Sequence, residues 1–159
     1  MSEPEVPLDE ALRADFGEAI ESSRVSGGIL TVRARRDAIA GICAALKERH
    51  GFTFLVDLCA VDFPGRERRF EVVYHLGAPA MGLRVRLKAT VGEGTPLPSV
   101  TGVWRAARAP EREAWDLFGI SFEGHPDLSR LLLPDGFEGH PLRRDFPLEG
   151  LPDEEGTGD

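Results

Sequence analysis

Hydrophobic and polar positions follow regular periods over the first 120 residues and lose them afterwards. Asp9 is placed to cap a helix, and Leu12, Phe16 and Ile20 then recur every fourth residue as one apolar stripe. Ser26-Gly27-Gly28 interrupts the chain. Residues 29–35 read as a strand, with Leu30, Val32 and Ala34 on one face. The clearest helix spans 36–50, where Ile39, Ile42, Cys43 and Leu46 form an i, i+3, i+4, i+7 stripe. Lys47, Arg49 and His50 suit the negative end of its dipole, and Gly51 suits the position just past it. Three strands follow. Residues 52–61 are apolar on both faces, which predicts a central strand. Phe63-Pro64-Gly65 turns the chain into an alternation of Phe70, Val72, Tyr74 and Leu76. Gly77-Ala78-Pro79 turns it again, and Leu83, Val85, Leu87 and Ala89 alternate against Arg84, Arg86 and Lys88. The short links predict an antiparallel meander whose last strand has one wet face. That basic face is either solvated or a docking surface for an acidic neighbour.

Further along, Ser99 is placed to cap a short helix running through Trp104. Pro110 fits the first turn of another helix that ends at Gly119, with Glu111 and Glu113 near its positive end. Arg112 and Asp116 lie four residues apart on it. They form either an exposed pair worth about 0.3–0.5 kcal/mol, or part of an anchor, in which Arg112 or Glu113 holds the segment that follows. These elements define an α+β class, a small largely antiparallel sheet covered by helices.

Residues 121–150 have no such period. Pro126, Pro134, Pro141 and Pro147 remove backbone donors and hold the preceding residue extended. Yet Phe122, Leu128, Leu131, Leu132, Leu133, Phe137, Leu142, Phe146 and Leu148 are too apolar for a free tail. The stretch reads as an extended arm that needs a receiving surface, part of it on its own domain and the rest on a neighbouring protein. It also repeats itself: Phe122-Glu123-Gly124-His125-Pro126 recurs as Phe137-Glu138-Gly139-His140-Pro141. Gly before His permits unusual torsions, and Pro after it holds the His extended. Asp127, Asp135 and Glu138 do not give His125 and His140 the spacing of a metal site, and no nucleophile or general-base partner is visible. Hydrogen-bonded histidines at a contact surface are the preferred reading. Arg130, Arg143 and Arg144 are either solvated or paired bidentately with a partner's carboxylates, and pairing is preferred here.

The chain's 159 residues favour one globular domain over 1–120, the arm over 121–150 and an acidic tail over 151–159. No apolar run approaches the ~18–20 residues that cross a bilayer, and the acidic start Met1-Ser2-Glu3-Pro4-Glu5 does not resemble a secretory signal. A cytoplasmic location is therefore expected. The net charge of −8 disfavours nucleic-acid binding through a basic surface. Cys43 and Cys59 are too few to hold an iron–sulfur cluster and are expected to be buried free thiols.

Three runs carry a resemblance. Residues 111–120 read Glu-Arg-Glu-Ala-Trp-Asp-Leu-Phe-Gly-Ile, and Phe122-x-Gly124-His125-Pro126-Asp127-Leu128 follows. Then comes Gly139-His140-Pro141-Leu142-Arg143-Arg144-Asp145-Phe146-Pro147-Leu148-x-Gly150. Together they resemble the signature of the 30 kDa-type (C-type) subunit family of proton-pumping NADH:quinone oxidoreductases, respiratory complex I. The weaker match of Phe54-x-x-Asp57-Leu58-x-Ala60-Val61-Asp62, Pro98-Ser99-Val100 and Trp104 is compatible. The resemblance implies a non-catalytic subunit in the hydrophilic arm of the enzyme, peripheral to the cytoplasmic side of the bacterial inner membrane. It implies packing against the quinone-site (D-type) subunit, near the cluster-bearing B-type and I-type subunits. It also implies no cofactor on this chain, with FMN and iron–sulfur clusters in sibling subunits that pass electrons from NADH to quinone. The corresponding subunit of an ion-translocating hydrogenase is the alternative. Glu111, Arg112, Glu113, Asp116, Gly119, His125, Pro126, Asp127, Arg130, His140, Pro141, Arg143, Arg144, Asp145 and Phe146 are then expected at the partner interface.

Overall fold

A computed structural model describes residues 7–128 and 139–143. Helix α1 (Leu8–Phe16) carries Asp9 and Glu10 in its first turn and buries Leu12. It stops at Phe16, short of the Ile20 that the apolar spacing places on it. Gly17 takes a positive φ of 55°, a short 3-10 turn covers Gly17–Ala19, and Ile20 opens strand β1 (Ile20–Ser26). This strand is exposed along most of its length, so no apolar alternation announces it. Gly27 and Gly28 both have positive φ, 59° and 78°, as a two-residue hairpin requires, and return the chain antiparallel into β2 (Ile29–Ala34).

A 3-10 turn leads into α2 (Ile39–His50), whose stripe of Ile39, Ile42, Cys43 and Leu46 is fully buried. Gly51, at φ 79°, donates its N–H to the Leu46 carbonyl and closes the helix. Then come β3 (Phe54–Asp62), β4 (Phe70–Ala78) and β5 (Leu83–Val91), an antiparallel meander as the alternation predicts. The sheet order is β1-β2-β5-β4-β3, with β5 parallel to β2. Residues 52–61 therefore form an edge and not the centre. The connection through α2 carries the chain past the sheet before β3 starts, and the meander folds back so that β5 meets β2. Phe54 and Val56 on the edge remain 56% and 40% exposed. The face under α2 is built from Val32, Leu55, Leu58, Phe70, Val72, Tyr74, Leu76, Val85 and Leu87.

Tyr74 is the largest side chain completely enclosed there, and its hydroxyl has no hydrogen-bond partner among the described residues. Burial pushes its pKa well above the ordinary value, and Cys43 and Glu111 add to the rise. Desolvating a hydroxyl without return costs about 1–3 kcal/mol. The Tyr74→Phe variant is accordingly expected to match or exceed the wild type by up to about 1 kcal/mol in urea denaturation. A loss of stability would show that the hydroxyl has a partner.

The hairpin between β3 and β4 is pinned by an ion pair between half-buried Arg69 and buried Asp62. Arg69 donates to both oxygens of Asp62, at 2.8 and 2.7 Å. Beyond β5, strand β6 (Leu97–Pro98) runs parallel to β7 (Phe122–Glu123). Residues 99–104 form turns and no helix. After a 3-10 turn, α3 (Arg108–Phe118) packs against the edge strand β3 and ends at Gly119, φ 79°. Phe122 is buried with Leu97, so the packed domain continues beyond residue 120. No helix among the described residues is long and apolar enough to cross a membrane.

Candidate functional site

Both ends of α3 are held by side chains and backbone from the segments around it. At its start stands Glu111, completely buried. Its carboxylate accepts from the Ser99 hydroxyl at 2.5 Å and from the Val100 N–H at 2.9 Å. Ser99 also accepts from the Thr101 N–H at 3.1 Å. Glu111 thus ties the 97–101 loop to the helix, and Ser99 serves this carboxylate instead of capping a helix of its own. Burial raises the Glu111 pKa, while the bonds from Ser99 and Val100 and the nearby His125 counter the rise.

The two Phe-Glu-Gly-His-Pro copies bracket the same helix. In the first, His125 donates from Nε2 to the Arg108 carbonyl at 2.9 Å and accepts at Nδ1 from the Asp127 N–H, also at 2.9 Å. In the second, His140 donates from Nδ1 to the Asp116 carbonyl at 2.9 Å. The glycines that precede them share a positive φ, 88° at Gly124 and 90° at Gly139. Residues 140–143 then complete the C-terminal turn of α3. The last four carbonyls of a helix lack internal partners. Here Gly119 N–H serves Trp115, His140 serves Asp116, Leu142 N–H serves Leu117 and Arg143 Nε serves Phe118. Arg143 places its charge at the negative end of the helix dipole. It also pairs with Glu93 at 2.8 Å and lies over the Phe70 ring, 5.1 Å from its centroid. Phe70 in turn meets Phe118 edge-on. Gly119 admits this clasp, since a Cβ there would lie 2.7 Å from both Arg143 Nη2 and His140 Cδ2.

The sequence-derived residues therefore separate into groups. Glu111, Gly119, His125, His140 and Arg143 build the clasp around α3. Asp116 is fully buried, which overturns the exposed Arg112–Asp116 pair, and Arg112 is half-buried. Glu113, Pro126 and Asp127 are exposed, and Pro141 is half-buried beside an exposed Leu142. Arg130, Arg144, Asp145 and Phe146 lie outside the described residues. His125 and His140 reach carbonyls eight residues apart on α3, about 12 Å along a helix, so they do not converge on one metal ion. A groove of about 190 Å³ runs between α3 and the edge strand, with Cys59, Glu113, Leu117 and Leu142 on its walls.

The other face of the sheet holds what the sequence did not bring together. Cys59 is exposed there, while Cys43 is buried, so one of the two thiols departs from expectation. The reason is alternation on an edge strand: Leu58 points into the core beside Tyr74, so its neighbour Cys59 points away from it, at the mouth of the groove to α3. Asp57, Cys59 and His75 bring one ligand atom each within 4.8 Å of one another. The signal was the i, i+2 spacing on β3, but the His75 pairing with Asp57 depends on register. Burial lowers the His75 pKa, with Arg86, Arg84 and Lys88 adding to the effect against Asp57. That cationic surrounding opposes a metal ion.

This is a small α+β domain with a helix clasped at both ends, and two solved structures share its fold. It superposes on the trypsin-resistant fragment (1–134) of Nqo5 with a TM-score of 0.64 and 34% identity, covering 77% of this chain and all of that one. A chain of the membrane-bound sulfane sulfur reductase, an archaeal respiratory membrane complex, superposes with a TM-score of 0.76 and 26% identity, covering 89% of this chain and 84% of that one. In sequence, the C 1 subunit of the NADH-quinone oxidoreductase of Rhizobium etli (strain CIAT 652) is 45% identical over 153 residues, 95% of this chain and 76% of the relative. The family model of the respiratory-chain NADH dehydrogenase 30 kDa subunit matches residues 32–152, and the chain belongs to that family.

Proposed function

We propose that the chain is a non-catalytic scaffold subunit in the hydrophilic arm of an NADH-quinone oxidoreductase. It supports electron flow from NADH to quinone by fixing the relative positions of redox subunits. The observation that carries this reading is the family match, which runs through both Gly-His-Pro copies and on to residue 152. The structure adds that each histidine spends a ring nitrogen on a backbone carbonyl of α3. They serve here as rivets, where a catalytic role would aim them at a substrate. The sequence relatives favour this assembly over the related hydrogenase-type complexes, since 45% identity extends over nearly the whole chain.

In this reading the globular domain expected over 1–120 extends through Phe122, the rest of 121–150 is the docking arm and 151–159 is an acidic tail. The arm is rooted on its own domain through Phe122 and residues 140–143, then engages the quinone-site subunit, with the cluster-bearing B-type and I-type subunits nearby. Glu113, Pro126, Asp127 and Pro141 border that contact, and Arg130, Arg144, Asp145 and Phe146 continue it. FMN and the iron–sulfur clusters belong to the sibling subunits, and attachment to the cytoplasmic face of the membrane is through them.

Truncation after Leu128 tests the arm. The shortened chain is expected to retain its sheet signature by circular dichroism but to co-purify with the quinone-site subunit at least about tenfold less, the equivalent of about 1.4 kcal/mol. Undiminished co-purification of a folded truncation removes the docking role.

A further inference from the structure

We infer that the open face of the sheet, centred on β5, is a second docking surface, and that it receives an acidic segment of a neighbouring subunit. The inference rests on membership of a multisubunit enzyme, but not on the arm. The chain carries a net charge of −8, yet this face is cationic. Register aligns Ser22, Arg33 and Lys88 in one row across β1, β2 and β5, and Arg24, Thr31 and Arg86 in the next. Arg84 begins a third. Arg84, Arg86 and Lys88 thus climb one side of β5 at i, i+2, i+4, about 7 Å per step.

Like charges directly opposite in a sheet are destabilising, and Arg33 faces Lys88. The fold answers with one carboxylate. Glu71, almost fully buried, lies 3.3 Å from Arg33 and 3.4 Å from Lys88, so two cations share one anion. In the adjoining row the carboxylate is Asp57, which is separated from Arg86 by His75. Arg24, Arg33, Arg84, Arg86 and Lys88 against Glu71 and Asp57 leave this face an excess of three positive charges. Between the two rows the surface dips into a shallow cavity of about 280 Å³, where Ser22 and Thr31 add hydroxyls to Arg24, Arg33, Arg86 and Lys88.

An extended segment matches this layout better than a single small anion. The cations are spread along strands instead of converging on a point. Carboxylates at alternate positions of an extended chain repeat at the same ~7 Å as the ladder on β5. Guanidinium groups would hold them by paired hydrogen bonds, and complementary charge would set register and association rate.

Lys47 and Lys88 are the only lysines in the sequence, which makes the test direct. Zero-length carbodiimide coupling joins an amine to a carboxylate in contact with it. Applied to the purified complex, it is expected to link Lys88 to Asp or Glu in one segment of another subunit. The charge-conserving Arg86→Lys variant is expected to add a link to the same segment. Lys47, which lies on the helix side and donates to its own chain's Val103 carbonyl, is not. The double variant Arg24→Glu, Arg86→Glu is expected to lower retention of the chain through a high-salt wash about tenfold. Coupling only to this chain's carboxylates, coupling only to a second copy, no coupling, or unchanged retention of the double variant each overturns the proposal. A wild-type chain that co-purifies with no other subunit overturns the subunit reading as well.

Discussion

Gly119→Ala is expected to detach residues 140–143 from the end of α3 and to cut co-purification with the quinone-site subunit about tenfold. Two effects add. At φ 79° an L side chain costs roughly 1–2 kcal/mol of backbone strain. The new methyl group would also sit 2.7 Å from Arg143 Nη2 and His140 Cδ2, too close for either to stay. Their bonds to the Phe118 and Asp116 carbonyls would then be lost, together with the Leu142 N–H bond to Leu117. At about 0.5–1.5 kcal/mol each, those three contribute roughly 1.5–4.5 kcal/mol. Gly94→Ala is the matched control. It has φ 77° but nothing within 4 Å of the added atom, so it carries the strain without the collision. Amide exchange at Leu142 reads the difference: protection should fall in the Gly119 variant and persist in the Gly94 variant. Equal protection in both would mean that the clasp tolerates the methyl group.

Glu111→Ala is expected to destabilise the domain by about 3 kcal/mol, or roughly 6–12 °C in Tm. It deletes a fully buried side chain and leaves the Val100 N–H and the Ser99 hydroxyl without their acceptor. Glu111→Gln separates charge from shape, because the amide can still accept from Val100 and donate to Ser99. Its informative readout is pH. Burial raises the folded pKa of Glu111 above its unfolded value near 4.5, so the native state binds this proton more tightly than the unfolded chain. Native stability from this group is then complete below the unfolded pKa and is lost as pH rises through the folded one. The wild type should show that decline above pH 4.5, and the Gln variant should not. An unchanged decline in the Gln variant would assign it to another group.

Much of the clasp was legible in advance, though its use was not. Gly119 as a helix end, the echo of Gly124-His125 in Gly139-His140 and the apolar content of the arm all follow from local pattern. What His125 and His140 touch does not, since both reach carbonyls that tertiary folding brings to them. Glu111 read as an ordinary acid near a helix start, because helix position alone does not reveal that the 97–101 loop closes over it. The same limit applies to Asp116, whose spacing from Arg112 suits a surface pair but whose side chain is buried.

The chain itself determined the α2 stripe, the β3–β4–β5 meander, the glycine stops at 51 and 119 and the family signature after residue 110. These depend on side-chain periods and on torsions that only certain residues adopt. Tertiary structure decided which strands sit inside and which sit at the rim. Strand β1 is too polar to announce itself and is held by its hydrogen-bond ladder to β2, while β3, apolar on both sides, lies at the edge. Strand order is set by where α2 delivers the chain and by the parallel pairing of β2 with β5. That is long-range geometry, and no window of the sequence contains both partners.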